Sequence, residues 1–166
     1  LPGVTLATRR DYDGDFFAEV QPFPRRFSLV GDTTMTRYRK LHVRMWGDEK
    51  FRSLTPPLPN GQTLWIYLMS GPHTNPLPGL FTAGEAQLAE ALGWPLKGFR
   101  EAFAEASSKG MVKADWLARL VFLPNAMRYN PPESPNVVKR WRASFDELPE
   151  CDLKRQSFQA FRDFLE

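Results

Sequence analysis

Residues 82–123 read TAGEAQLAEALGWPLKGFREAFAEASSKGMVKADWLARLVFL, and the fold turns on how this stretch divides. Thr82 stands three residues before Glu85. In that S/T-x-x-E spacing, side chain and backbone satisfy each other's free N–H groups at a helix start. Ala86, Leu88, Ala89 and Leu92 supply an apolar stripe, and Gly93 ends the helix. Pro95 is expected at the first position of a second helix, where its missing N–H costs nothing. Leu96, Phe99, Phe103 and Ala106 follow at spacings of 3, 4 and 3, a core-facing stripe. Gly110 is placed to end that helix in a left-handed conformation. Met111-Val112-Lys113 and Leu117–Leu123 then read as two short strands joined at Ala114-Asp115-Trp116, with Leu117, Arg119, Val121 and Leu123 on one side. The order is helix, tight turn, helix, hairpin.

Working outward, Leu41, Val43 and Met45 alternate with Lys40, His42 and Arg44. This alternation predicts a half-buried strand over Tyr38–Trp46 with a basic outer face. Gln62–Ser70 reads as a buried helix stopped by Gly71-Pro72, with a strand as the alternative. Pro76, Pro78 and Gly79 make His73–Leu80 a loop. Downstream, Ser134-Pro135 opens a helix carrying Val138, Trp141 and Phe145, and Pro149 breaks it. A last helix near Asp152–Leu165 carries Phe158, Phe161, Phe164 and Leu165. A helix this short is marginal alone, so its stripe must bury either near Trp141 and Phe145 or on a second copy, and the reading favours a homodimer. The fold class is α+β, mostly helical: a winged helix-turn-helix with additional C-terminal helices. A small mixed α/β domain of similar element order is the alternative. The domain is expected over residues 35–132 and the C-terminal helices over 133–166. Residues 1–34 lack a steady period and precede the first methionine, Met35. They read as a disordered N-terminal extension, the alternative being an arm docked through Phe16, Phe17, Phe23 and Phe27.

Of the 166 residues, 42% are hydrophobic and 25% charged, a balance that argues against a wholly disordered chain. No apolar run approaches the roughly 18–20 residues of a membrane span, and no signal-peptide pattern opens the chain. The single cysteine, Cys151, cannot form an internal disulfide, and with two histidines it cannot fill a four-ligand zinc site. A cytoplasmic setting follows as the default. Phosphate-binding glycine loops, the nucleophile elbow and the H-E-x-x-H pair are absent. Asp11, Asp13 and Asp15 imitate a calcium loop, but Gly14 is misplaced and the bidentate Glu is missing. The chain is therefore read as a non-enzyme without cofactor or metal.

The stretch Trp46–Pro72 resembles the start of phage replisome-organiser proteins, through Asp48, Lys50, Phe51, Leu54 and Leu64-Trp65-Ile66-Tyr67-Leu68. So do Pro78-Gly79-Leu80, Leu88–Gly93, Gly110-Met111-Val112, Leu120–Asn125 and Asn130-Pro131-Pro132. The resemblance covers roughly residues 37–132. It implies a winged-helix N-terminal domain similar to that of DnaD-type primosome proteins, a role in phage or prophage replication initiation, DNA as ligand, and a replicative helicase or its loader as partner. The resembled proteins often carry a longer C-terminal region for helicase loading or single-strand binding, whereas only one or two helices remain here.

Net charge is +3, and its distribution is uneven. Residues 35–52 and 113–145 each hold six basic and two acidic side chains, while residues 146–166 are net acidic. In a helix-turn-helix the second helix enters the major groove. Its outward residues here would be Lys97, Gly98, Arg100, Glu101, Ala104, Glu105 and Ser108. Lys97 and Arg100 are the base-reading candidates, since arginine can grip guanine with two hydrogen bonds. Glu101 and Glu105 oppose phosphate, and pairing of Lys97 and Arg100 with them is the competing reading. Arg39, Lys40 and Arg44 on the first strand, Lys113 and Arg119 in the wing, and Lys139 and Arg140 beyond it are the phosphate-contact candidates. Trp94 and Trp116, in turns, are the tryptophans best placed for exposure, where they could stack on a base or a partner, but packing under their own turns is the favoured reading. Two further readings stand beside replication initiation: a transcriptional regulator of the same fold, and a winged-helix interaction module that never touches DNA.

Overall fold

Leu120, Val121 and Phe122 are apolar, consecutive and all buried, so a sheet built on this strand needs a cover on both faces. The computed structural model describes residues 16–19 and 41–166. Helix α1 is the single turn Phe16–Glu19. A 3-10 turn over Val43–Gly47 leads into α2 (Glu49–Arg52), and α3 spans Gly61–Ser70. Strand β1 (Leu80–Thr82) precedes α4 (Glu85–Ala91) and α5 (Leu96–Ser108). Strands β2 (Lys113–Asp115) and β3 (Leu120–Phe122) follow, then α6 (Ala126–Tyr129), α7 (Pro135–Asp146) and α8 (Asp152–Leu165). The described chain is mostly helical with one small antiparallel sheet, in the order β1-β3-β2.

Strand β3 pairs with β1 through Leu80–Phe122, Phe81–Val121 and Thr82–Leu120, and with β2 through Lys113–Phe122, Ala114–Val121 and Asp115–Leu120. Successive side chains point to opposite faces. Phe81 and Val121 join the core built on α3, α4 and α5. Leu80, Leu120 and Phe122 join a second core with Trp141 and Phe145 of α7 and Leu153, Phe158 and Phe161 of α8.

The helical stripes of α5 and α7 are where the spacing puts them: Phe99, Ala102, Phe103 and Ala106 on the first, Val138, Trp141 and Phe145 on the second are buried. Helix α3 begins at Asn60, whose side-chain oxygen accepts from the Thr63 N–H at 2.9 Å, a standard N-cap. Its first residue, Gly61, lies so close to the Glu105 carboxylate of α5 that a Cβ would stand 2.7 Å from Oε2. A negative group there also suits the positive end of the α3 dipole. Gly79 (φ 70°) has no room either: a Cβ there would overlap that of Ala126.

Several expectations are corrected. The Tyr38–Trp46 strand is not formed over its described part: residues from Val43 make a 3-10 turn, and Leu41 and Val43 are exposed. The His42 imidazole accepts from the Arg44 N–H at 3.1 Å, a local bond that replaces a ladder bond when no strand lies alongside. Tyr38 to Lys40 lie outside the described residues. Thr82 does not cap α4 but pairs with Leu120 in β1; Gly84 is the N-cap, and its N–H reaches Gln87 Oε1 at 3.4 Å. Pro95 is the N-cap of α5 and not its first turn residue. In the hairpin, Ala114 and Asp115 belong to β2, and the turn runs over residues 116–119. Leu117 is exposed, Val121 buried, and Arg119 sits in the turn at φ 53°, so the expected one-sided alternation fails. Burial of both sheet faces removes the period-2 signal on which it rested.

The α8 stripe is covered within the chain: Phe158, Phe161 and Leu165 are buried, with Phe161 against Phe122 and Trp141. The apolar stripe that motivated a second copy is thus satisfied without one. Of the extension expected over residues 1–34, only Phe16–Glu19 is described. That turn docks on α7 and α8, with Phe17 buried 5.4 Å from the Phe145 ring and 5.6 Å from that of Phe158. Lys154 of α8 is also buried, and its ammonium donates to Leu148 O at 2.9 Å and Glu150 Oε1 at 2.6 Å. Both partners lie between α7 and α8, so the lysine ties α8 to the segment that connects the two helices.

Candidate nucleic-acid interface

Helix α5 is held on two sides by its own neighbours. Phe99 and Phe103 face the core. On another side the proline-rich segment before α3 lies against Gly98, where a Cβ would stand 2.6 Å from Pro59 Cγ. That segment is pinned by the Trp94 indole, which donates to Pro57 O at 2.7 Å. Trp94 is buried, in line with the packed reading of this turn tryptophan, and its indole N–H finds its partner outside its own turn. Of the outward residues expected on α5, Gly98 is covered, and Lys97, Arg100, Glu101, Ala104, Glu105 and Ser108 are exposed.

The two base-reading candidates differ. Lys97 is almost fully exposed, with Glu101 one turn on at 4.0 Å, a pair that screening makes weak. Arg100 is held in a two-pronged contact with Glu85 of α4, Nε to Oε2 at 3.0 Å and Nη2 to Oε1 at 2.5 Å. These hydrogen bonds, with the charge attraction behind them, hold the Glu85 carboxyl below its ordinary range and the Arg100 guanidinium above its own. The partner is thus neither Glu101 nor Glu105, and the fork geometry that would suit guanine is occupied by a carboxylate. Glu85 is the residue sequence reasoning missed. Its signal was its place in the first turn of the preceding helix, which the tight Gly93-Trp94 turn folds back toward α5.

Between α5 and the hairpin lies a groove of about 320 Å³ lined by Glu85, Arg100, Phe103, Ala104, Ser107 and Trp116, among others. Trp116 is half-buried, its ring 4.8 Å from that of Phe103 and 6.2 Å from that of Phe99. It forms one wall of the groove and anchors the start of the hairpin turn. At the far end of the turn, Arg119 is exposed and has no side-chain partner among the described residues. Lys113 of β2 points to α8, where Nζ donates to Gln156 Oε1 at 3.1 Å.

The remaining basic candidates are dispersed. Arg44 is exposed on the 3-10 turn, which Trp46 ties to α3: its ring lies 4.8 Å from that of Tyr67 and its indole donates to Ser70 Oγ at 3.2 Å. Arg39 and Lys40 lie outside the described residues. Lys139 and Arg140 are exposed on α7, in the layer across the sheet from α5. The two basic islands therefore do not share one helix layer. The groove between α5 and the hairpin gathers Arg100, and the turn that begins at its Trp116 wall carries Arg119.

His73 has a different role. Its Nε2 lies 3.1 Å from Leu68 O, and its ring packs 4.3 Å from that of Phe81. Burial pushes its pKa below the usual histidine value, so it is a neutral packing residue at physiological pH. Among the described residues no group of three His, Cys, Asp or Glu side chains could hold a metal ion, and no helix is long and apolar enough to cross a membrane. Comparisons with protein-family models, curated proteins and solved structures find no match.

Proposed function

We propose that this chain is a winged-helix DNA-binding protein that acts in phage or prophage replication initiation. The element order α3-β1-α4-α5-β2-β3 and the strand order β1-β3-β2 support the fold assignment. In this reading α4 and α5 are the helix-turn-helix, and the β2–β3 hairpin is the wing. The observation that carries DNA binding is the pairing of an accessible α5 face, with Lys97, with a wing turn whose Arg119 has no partner among the described residues. Such groups supply sequence-independent phosphate attraction. The replication role rests on the phrases shared with replisome organisers, and a replicative helicase or its loader is the partner class it implies.

The engagement of Arg100 by Glu85, together with Glu101 and Glu105 on the same helix, favours one rival: a winged helix that contacts protein only. Fluorescence anisotropy with a labelled 30-base-pair duplex over a range of salt separates the two. Binding that weakens steeply with salt supports the DNA reading. No binding at low salt removes it. A transcriptional regulator is distinguished by its neighbouring genes, helicase-loader genes supporting replication and a divergent promoter supporting regulation.

A further inference from the structure

The tip of the hairpin is built against local preference. Leu117 is 97% exposed, the most exposed large apolar side chain among the described residues. Two residues later Arg119 adopts φ 53°, a left-handed conformation that side chains other than Gly and Asn rarely enter. The tip is nonetheless held in place. Asp115 Oδ1 accepts from the Ala118 N–H at 2.9 Å, and Arg119 O accepts from the Ala83 N–H at 2.8 Å. Trp116 anchors the other end on Phe103. Leu117 therefore cannot gain cover by simple relaxation of the turn, and its exposure is a product of the fold. Strain of this kind, retained by surrounding structure, points to a use for the segment.

We infer that Leu117 is an apolar wedge for the minor groove of duplex DNA, with Arg119 beside it as the positioning cation. The inference rests on the DNA-binding reading above and adds the groove, the strandedness and a deformation. The minor groove is about 6 Å wide, too narrow for both strands of the hairpin, so the exposed Leu117 side chain at the tip is the part that would enter it. An aliphatic side chain pushed between base pairs unstacks them and kinks the helix, while a neighbouring arginine favours the negative potential of the narrow groove. Pyrimidine–purine steps yield most easily, so T-A-rich duplex is the expected ligand. Single-stranded DNA offers no groove to wedge and is the poorer ligand.

The test uses the full chain and a 30-base-pair duplex of alternating T-A steps, end-labelled for energy transfer and carrying 2-aminopurine at a central step. Wild-type protein is expected to bind, raise the 2-aminopurine fluorescence and shorten the end-to-end distance. Leu117→Ala keeps the melting temperature and the salt slope but loses both signals, with affinity falling roughly tenfold as the leucine contact is lost. Arg119→Ala lowers the salt slope by about one unit. A minor-groove ligand such as netropsin should compete with the wild type. Salt-dependent duplex binding without unstacking, or an unchanged signal in Leu117→Ala, overturns the wedge and leaves the DNA-binding reading standing. Absence of duplex binding at low salt overturns both.

Discussion

The two faces of the sheet are both covered at the central strand β3 but are assembled differently. On one face, Phe81 and Val121 meet α3, α4 and α5, all within residues 61–123. On the other, Leu80, Leu120 and Phe122 meet α7 and α8, reinforced by Phe17 from near the other end of the described chain. The first core is made by near neighbours in sequence, and its helical stripes reveal it. The second is made by distant segments that announce themselves only as amphipathic pieces in need of a partner. The contrast teaches that the α5–hairpin unit has its own core but half of its sheet is covered from elsewhere.

The largest expected effects test whether the two cores are one cooperative unit. Trp141→Ala and Phe103→Ala each empty a buried aromatic site and are expected to cost about 3–5 kcal/mol. Urea melts followed by circular dichroism check this. If the faces unfold together, both variants show one transition with a lowered midpoint. A two-step melt in Trp141→Ala alone would mean that the α7–α8 layer detaches while the first core survives.

Glycine substitutions sharpen the comparison at smaller scale. Gly79 and Gly110 share φ 70°, but a Cβ at Gly79 would overlap Ala126 at the junction between the sheet and α6, whereas nothing lies within 4 Å of one at Gly110. Gly110→Ala should cost only the left-handed strain, about 1 kcal/mol. Gly79→Ala adds steric overlap and should cost about 3 kcal/mol. Equal costs in thermal melts would show that the junction yields freely.

The pH dependence probes the loop joining the two cores. His73 has a folded-state pKa below its ordinary 6.5, so the unfolded chain binds its proton more tightly. Its contribution to stability is full above that ordinary value and is lost as pH falls through 6.5 toward the folded value. Melting temperature should therefore drop from pH 7 to pH 5, and His73→Gln should flatten that part of the curve. An identical profile in the variant would assign the acid loss elsewhere.

The smallest expected effect on stability comes from Glu85→Gln, which weakens the exposed fork and should scarcely move the melting temperature. On function its direction is the opposite of a loss. On the proposed DNA-binding reading, release of Arg100 should raise duplex affinity at low salt and steepen the salt slope by up to about one unit. Unchanged binding would leave Arg100 outside the interface, and the hairpin tip as the main contact.

Much of this molecule was readable from spacing. The stripes at Phe99-Phe103-Ala106 and Val138-Trp141-Phe145 and the glycine stops at Gly93 and Gly110 are consequences of local periodicity and of backbone angles that glycine tolerates, whereas residues 62–70, apolar nearly all round, carried no period to separate helix from strand. The alternation at Leu41-Val43-Met45 misled, because a strand needs a neighbour, and whether one lies alongside is no property of the segment. The hairpin register slipped for a related reason: Leu120-Val121-Phe122 is buried on both faces, and a continuous apolar run carries no period to fix the turn. For the candidate site, the sequence by itself determined the residue types available, including Lys97, Arg100 and Arg119, and the helix on which the first two stand. Tertiary structure alone decided that Arg100 is engaged by Glu85, that Lys139 and Arg140 stand across the sheet, that Trp94 is buried, and that Leu117 is left in solvent. Each of these depends on which surfaces meet after the chain folds back, and side-chain pairing across such a contact is set by distance in space, which linear spacing does not encode.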